Sequence, residues 1–147
     1  MTPSLPDILI GHAAALSAPQ PPESSGDYLA GRLGLLAMLS VLAAQEASRG
    51  VAVRIWENGA IREVFASAAA EYDPAFAGAL AKAASATDED RTWAALDDSN
   101  DSLRRLLIRL HEAVETRRDS ALDREILNLY QAMAKARRLE LPAALAG

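Results

Sequence analysis

Between Leu33 and Ala44 the chain carries no charge, and Leu33, Leu35, Leu36, Met38, Leu39, Val41 and Leu42 project around the whole circumference of a helix. A helix that is apolar on all sides has no face to give to water and must be surrounded. The run is bounded by Arg32 and by Gln45–Glu46, so it falls short of the roughly twenty apolar residues that a bilayer crossing requires. Protein, not lipid, is therefore expected to cover it. Residues 28–48 are read as a central core helix, and the flanking segments as its cover.

The chain has 147 residues and is 50% hydrophobic, enough for one domain to bury a core without covalent staples. A single domain over residues 1–147 is expected, with 1–4 and 142–147 frayed. Cysteine is absent, which excludes disulfides, zinc–thiolate centres, iron–sulfur clusters and cysteine nucleophiles. The start, MTPSLPDILIGH, lacks a basic stretch before its short apolar run and carries Asp7 and His12; the expectation is no secretion signal and a cytoplasmic protein. A net charge of −5 disfavours nucleic acid, whose binding draws on clustered Lys and Arg. Arginines do gather in the last third, but Glu112, Glu115, Asp119, Asp123 and Glu125 are interleaved with them, the pattern of solvated helix faces. No membrane association is expected. Alanine and leucine dominate, which favours helix throughout.

Taken in order, residues 5–16 read as a short helix with the stripe Leu5, Ile8, Leu9, His12 and Leu16 facing inward. The prolines of APQPPESSGD end it. The central helix follows, its early small residues Ala30, Gly31, Gly34 and Ala37 suited to the close approach of a neighbour. Ser40 sits in the apolar run, where its hydroxyl can bond the carbonyl one turn back. The stretch from Val51 to Phe65 admits two readings. Val51, Val53 and Ile55 alternate and Asn58–Gly59 is a hairpin signal, whereas Ile61, Val64, Phe65 and Ala68 repeat at helical spacing. The helical reading is preferred, over residues 51–70 and kinked or interrupted near Gly59. Asp73–Pro74 is a cap followed by a first-turn proline, predicting a helix from Pro74 to about Ala84 with Phe76, Leu80 and Ala83 on its face. SATDEDR follows as an exposed loop. Trp93, Leu96, Asn100, Leu103, Leu107, Leu110 and Val114 then succeed one another at alternating steps of three and four, the seam of a helix in a left-handed bundle. After ETRRDS, with Ser120 as cap, Leu122, Ile126, Leu129, Met133 and Ala136 form a matching seam, widened by Leu127 and Tyr130. Two such seams joined by a short turn predict an antiparallel hairpin. The expected fold is all-α: a bundle of five or six helices around the central apolar helix.

Chemistry is sparse. Asn100 is the single polar residue on its seam; it either sets register against a buried partner or lies at the domain edge and meets water. His111, Glu112 and Glu115 lie in HEAVE, which lacks the second histidine of H-E-x-x-H; a helix offers a metal only His111 and Glu115, one turn apart, with nothing nearby to complete the set. Two histidines also exclude three-histidine sites, and neither lies in the Glu-x-x-His spacing of di-iron bundles. No metal and no cofactor is predicted. His12 needs a carboxylate to be more than a core histidine, and Glu46 is the one near the apolar helix. Trp56 and Glu57, with Asn58, Arg62 and Glu63, make the densest polar and aromatic patch. If a pocket takes a small ligand, Trp56, Glu57 and Arg62 are its expected lining, against the alternative of an exposed turn. No phosphate loop or nucleophile elbow is present.

The run GRLGLLAMLSVLAAQEASRG, Gly31 to Gly50, together with ENGAIRE, Glu57 to Glu63, resembles small all-helical bacterial proteins of unknown function associated with acyl-CoA dehydrogenase and phosphotransferase neighbours. The resemblance implies an accessory role in acyl-CoA metabolism and carries over no catalytic residue. The residues themselves predict a non-enzymatic protein that associates with itself or with another protein. A bundle binding an acyl or aromatic ligand, with Gly31, Gly34, Met38 and Met133 as lining, is the alternative. A small metal-dependent enzyme using His12, Glu46, His111 or Glu115 comes third.

Overall fold

A computed structural model of the chain describes residues 5, 8, 9, 11 and 12, then 26–68 and 73–140. The elements among them are all helices: α1 Gly26–Ala68, α2 Pro74–Ser85, α3 Trp93–Arg117 and α4 Ser120–Ala136. The all-α class is the one composition predicts. The described helices number four, short of the expected five or six, for two reasons. The first expected helix falls largely outside the described residues, of which 5, 8, 9, 11 and 12 are helical. The break expected between residues 48 and 51 does not exist.

Helix α1 runs unbroken through that point because nothing there stops it. Gly50 inside a helix costs only about 1 kcal/mol relative to alanine, and no proline lies between Pro22 and Pro74. The Asn58–Gly59 hairpin fails for a stereochemical reason. A type I′ turn requires positive φ at both central residues, and no described glycine has positive φ. Val51–Phe65 is helical and uninterrupted.

Contacts divide the chain into two compact units, Met1–Gly50 with Arg138–Gly147, and Val51–Arg137. In the first, Ser40 Oγ donates to the Leu36 carbonyl at 2.8 Å, as its place one turn on requires. The Gln45 amide clamps the backbone of Glu140 from both sides, donating to its carbonyl at 2.6 Å and accepting its N–H at 2.9 Å. Arg49 donates to the Arg138 carbonyl. Leu36 and Ala43 are buried, but Leu29 is 45% and Leu35 47% exposed. Among the described residues, the apolar run is therefore covered on part of its circumference, not all of it. Of the small residues expected to admit a close neighbour, Gly31 has open space where a Cβ would go, with nothing within 4 Å.

The apolar stripes close on each other instead within Val51–Arg137. Ile61, Val64 and Phe65 of α1, Leu80 of α2 and the two seams of α3 and α4 form one buried cluster that takes no described residue from 28–48. Asp73 caps α2 by accepting from Ala75 and Phe76 N–H at 3.1 and 3.2 Å, and Leu80 is fully buried. Thr92 caps α3, accepting from Ala95 N–H. Every seam position of α3 after Trp93 is buried, Asn100 included. At the hairpin turn Arg118 adopts the left-handed conformation (φ 57°), and its N–H satisfies carbonyls of the last turn. Asp119, not Ser120, caps α4. Leu122, Ile126, Leu129 and Met133 are buried as expected; Leu127, expected to widen the seam, is 44% exposed.

Gly59 sits mid-helix with negative φ and open space where a Cβ would go. Gly59→Ala therefore raises unfolding free energy by about 0.5–1 kcal/mol through helix propensity, read as a higher urea midpoint at unchanged m. Destabilisation instead would point to the hairpin.

Candidate functional site

The stripe Ile61, Val64, Phe65 and Ala68 continues toward the start of α1 through Asn58, Glu57 and Arg54. The same helical period that buries the apolar residues thus carries three polar side chains inward. Glu57 and Asn58 are fully buried and Arg54 is 4% exposed. A lone buried carboxylate would be prohibitive. Arg137, at the end of α4, resolves this with a fork: Nε donates to Glu57 Oε1 at 2.8 Å and Nη2 to Oε2 at 2.5 Å. Asn100 lies between them. Its Nδ2 donates to Glu57 Oε2 at 3.1 Å and to Asn58 Oδ1 at 2.9 Å, and its Oδ1 accepts from Arg137 Nη2 at 2.8 Å. Of the two readings of Asn100, the buried one holds.

Asn58 hands the network on. Its Nδ2 donates to Asp88 Oδ2 at 3.1 Å, and Asp88 is gripped by the Arg62 fork at 2.8 and 2.7 Å and by Ser99 Oγ at 2.8 Å. The loop SATDEDR, expected to be exposed throughout, is pinned at this point: the Asp88 side chain is only 10% exposed. Bonding from Arg62, helped by Ser99 and Asn58 and opposed by burial, holds the Asp88 carboxyl well below the usual carboxylate range; the same bond raises Arg62. Nearby, Arg54 Nε donates to Asp97 at 2.6 Å, and its guanidinium lies 4.0 Å from the Trp93 ring centroid, a cation–π contact.

Of the residues predicted as ligand lining, Glu57 and Arg62 both join this network, but with different partners, linked through Asn58 and Asn100. Trp56 points elsewhere and is 43% exposed. The region is a helix with Glu57 and Asn58 buried, not an exposed turn. Sequence reasoning missed Asp88, Ser99 and Arg137. Extending the α1 stripe back one turn would have placed Glu57 and Asn58 inside, and a buried Glu demands a cation; which arginine answers has no local signal.

A second cluster lies on the α3–α4 hairpin. His111 Nε2 is 2.9 Å from Asp123 Oδ1 and 4.0 Å from Glu115 Oε1, and one ligand atom from each of the three residues falls within 4.8 Å of the others. The expectation that nothing completes the HEAVE pair is corrected here: the hairpin supplies Asp123. A zinc-class ion takes such donors at about 2.0–2.2 Å, so holding one means breaking the His111–Asp123 hydrogen bond and drawing in Glu115, which is 68% exposed. His12, the other histidine, is half-buried, with Ile8 buried and Leu9 exposed beside it. A groove of about 560 Å³ runs between α2 and α3, lined by Phe76, Ala79, Arg109, Ala113 and Thr116 among others, with the Arg109 guanidinium 5.3 Å from the Phe76 ring centroid.

No family model matches the chain, and no curated protein or solved structure matches it.

Arg137→Met, which strands the Glu57 charge, is expected to cost about 3–5 kcal/mol, and Glu57→Met added to it to recover most of that loss, measured by urea unfolding. If the double variant is as unstable as the single, the pair is not what holds the helices. Because folding lowers the Asp88 pKa, its contribution is complete above the unfolded value of 3.8 and fades as pH falls below it. The stability gap between wild type and Asp88→Asn should accordingly shrink on acidification; a gap constant with pH would exclude a charged Asp88.

Proposed function

We propose that this chain is a non-enzymatic helical protein that works by association, first with copies of itself. The observation that carries the reading is where its side chains end up. The interior acid and amides, Glu57, Asn58 and Asn100, are bonded to one another and to Arg137 and Asp88, and that arrangement suits a structural tie better than a reactive group that must meet substrate. Large apolar residues stand outside instead: Ile108 is 61% exposed, Leu127 44%, Trp56 43%. Exposed apolar residues, where they form a contiguous patch, are the usual material of protein interfaces. No described helix is long and apolar enough to cross a membrane, so these residues are assigned to protein contacts. The resemblance of residues 31–50 and 57–63 to small helical proteins beside acyl-CoA enzymes supports the same reading and adds an accessory role there.

A second reading, a bundle that takes an acyl or aromatic ligand, is favoured by the groove between α2 and α3. Its volume lies in the range of small-molecule sites, and it joins the Phe76 ring to the cation of Arg109.

Sedimentation velocity at micromolar loading is expected to show a species heavier than the 15.6 kDa chain, shifting with concentration. A single 15.6 kDa species at every loading would overturn self-association.

A further inference from the structure

Beside its buried seams the hairpin carries a second face, which touches the core through Tyr130. Arg104, Ile108, His111 and Glu115 follow one another along α3 at steps of four, three and four, and Asp123, Leu127 and Tyr130 along α4 at four and three; each set forms one file on its helix. The two files lie side by side, because His111 bonds Asp123 at 2.9 Å and its ring lies 5.5 Å from that of Tyr130. The centre of the face is apolar, Ile108 and Leu127 with Tyr130 between half-buried and exposed neighbours. Arg104 stands at one end, and Glu115 and Asp123 at the other, with Arg118 beside them. Tyr130 registers both ends, since burial raises its hydroxyl while Arg104 pulls it down and Glu115 pushes it up.

Arg104 and Glu115 stand three helical turns apart, about 16 Å, with Ile108 between them. A two-fold axis lying in the plane of the face, perpendicular to the two helices and level with Ile108 and Leu127, exchanges the ends. It sets the apolar centre of one copy on that of the other and brings Arg104 of each against Glu115 and Asp123 of its mate. An interface of this kind closes on itself, as isologous dimers do, and it sets Arg104 of each copy opposite the carboxylates of Glu115 and Asp123 of the other. We propose that this face of the α3–α4 hairpin, centred on Ile108 and Leu127, binds a second copy of the chain to form a two-fold dimer with crossed Arg104 to Glu115 and Asp123 pairs. The proposal rests on the self-association reading above and names the surface that performs it.

Sedimentation equilibrium of the full chain and of Ile108→Asp, Leu127→Asp, Arg104→Glu and the double variant Arg104→Glu with Glu115→Arg tests it, with circular dichroism to establish that each is folded. Ile108 and Leu127 are exposed, so the aspartates are expected to leave helix content intact while reducing the protein to monomer. Arg104→Glu is expected to raise the dimer Kd about tenfold or more, because symmetry repeats the lost pair. The double variant should regain most of that affinity, which a general loss of folding or solubility would not allow. A wild-type dimer insensitive to all four variants would overturn this face and leave self-association standing. A monomeric wild type would overturn both.

Discussion

The Glu57 carboxylate has no access to water, and the arrangement of Val51–Arg137 follows from what that requires. A buried charge must be matched by a counter-charge and by donors for its remaining lone pairs. Arg137 supplies the charge from the far end of α4, and Asn100 supplies the donor from the middle of α3. Three helices distant in sequence are thereby held to one mutual height. The apolar seams alone do not specify this, since leucines repeated every three and four residues pack nearly as well one heptad up or down.

The second half of the network extends the same logic to a loop. Asp88 lies outside any helix, yet Arg62, Ser99 and Asn58 converge on it, so the link between α2 and α3 is tied to the buried face of α1. The charge on Asp88 is stabilised by those bonds, which makes the tie an ionic one. Apolar burial and polar matching therefore act at different ends of one stripe on α1: Ile61, Val64, Phe65 and Ala68 contribute area, while Arg54, Glu57 and Asn58 contribute specificity.

Much of this fold is legible in the residues. The α3 and α4 seams, the Asp73–Pro74 start of α2 and the hairpin all follow from period and caps, because each is decided within a few turns of chain. The continuity of α1 was harder to read, since Asn58–Gly59 and Gly50 are turn signals locally and only the tertiary setting cancels them. The long apolar run misleads for a related reason. Hydrophobicity without a stripe says that a helix wants cover but not where the cover comes from, and here the core formed on Ile61 and Phe65 instead. The network was half legible: the position of Glu57 on the stripe is arithmetic, but its pairing with Arg137, eighty residues away, depends on how the helices stack. The same holds for Asp123 beside His111, which the sequence separates by a turn and the hairpin brings together.

Asn100 has a wider consequence for how such a chain can change. Its amide faces a carboxylate, another amide and a guanidinium at once, so no single replacement satisfies all three neighbours. Leucine, valine and methionine along the seams can drift one at a time, each swap costing little if volume is kept. The polar cluster has no such freedom and would have to be exchanged as a block. Among distant descendants of this sequence, the oily positions should wander while this small set of hydrophilic ones stays together or vanishes together.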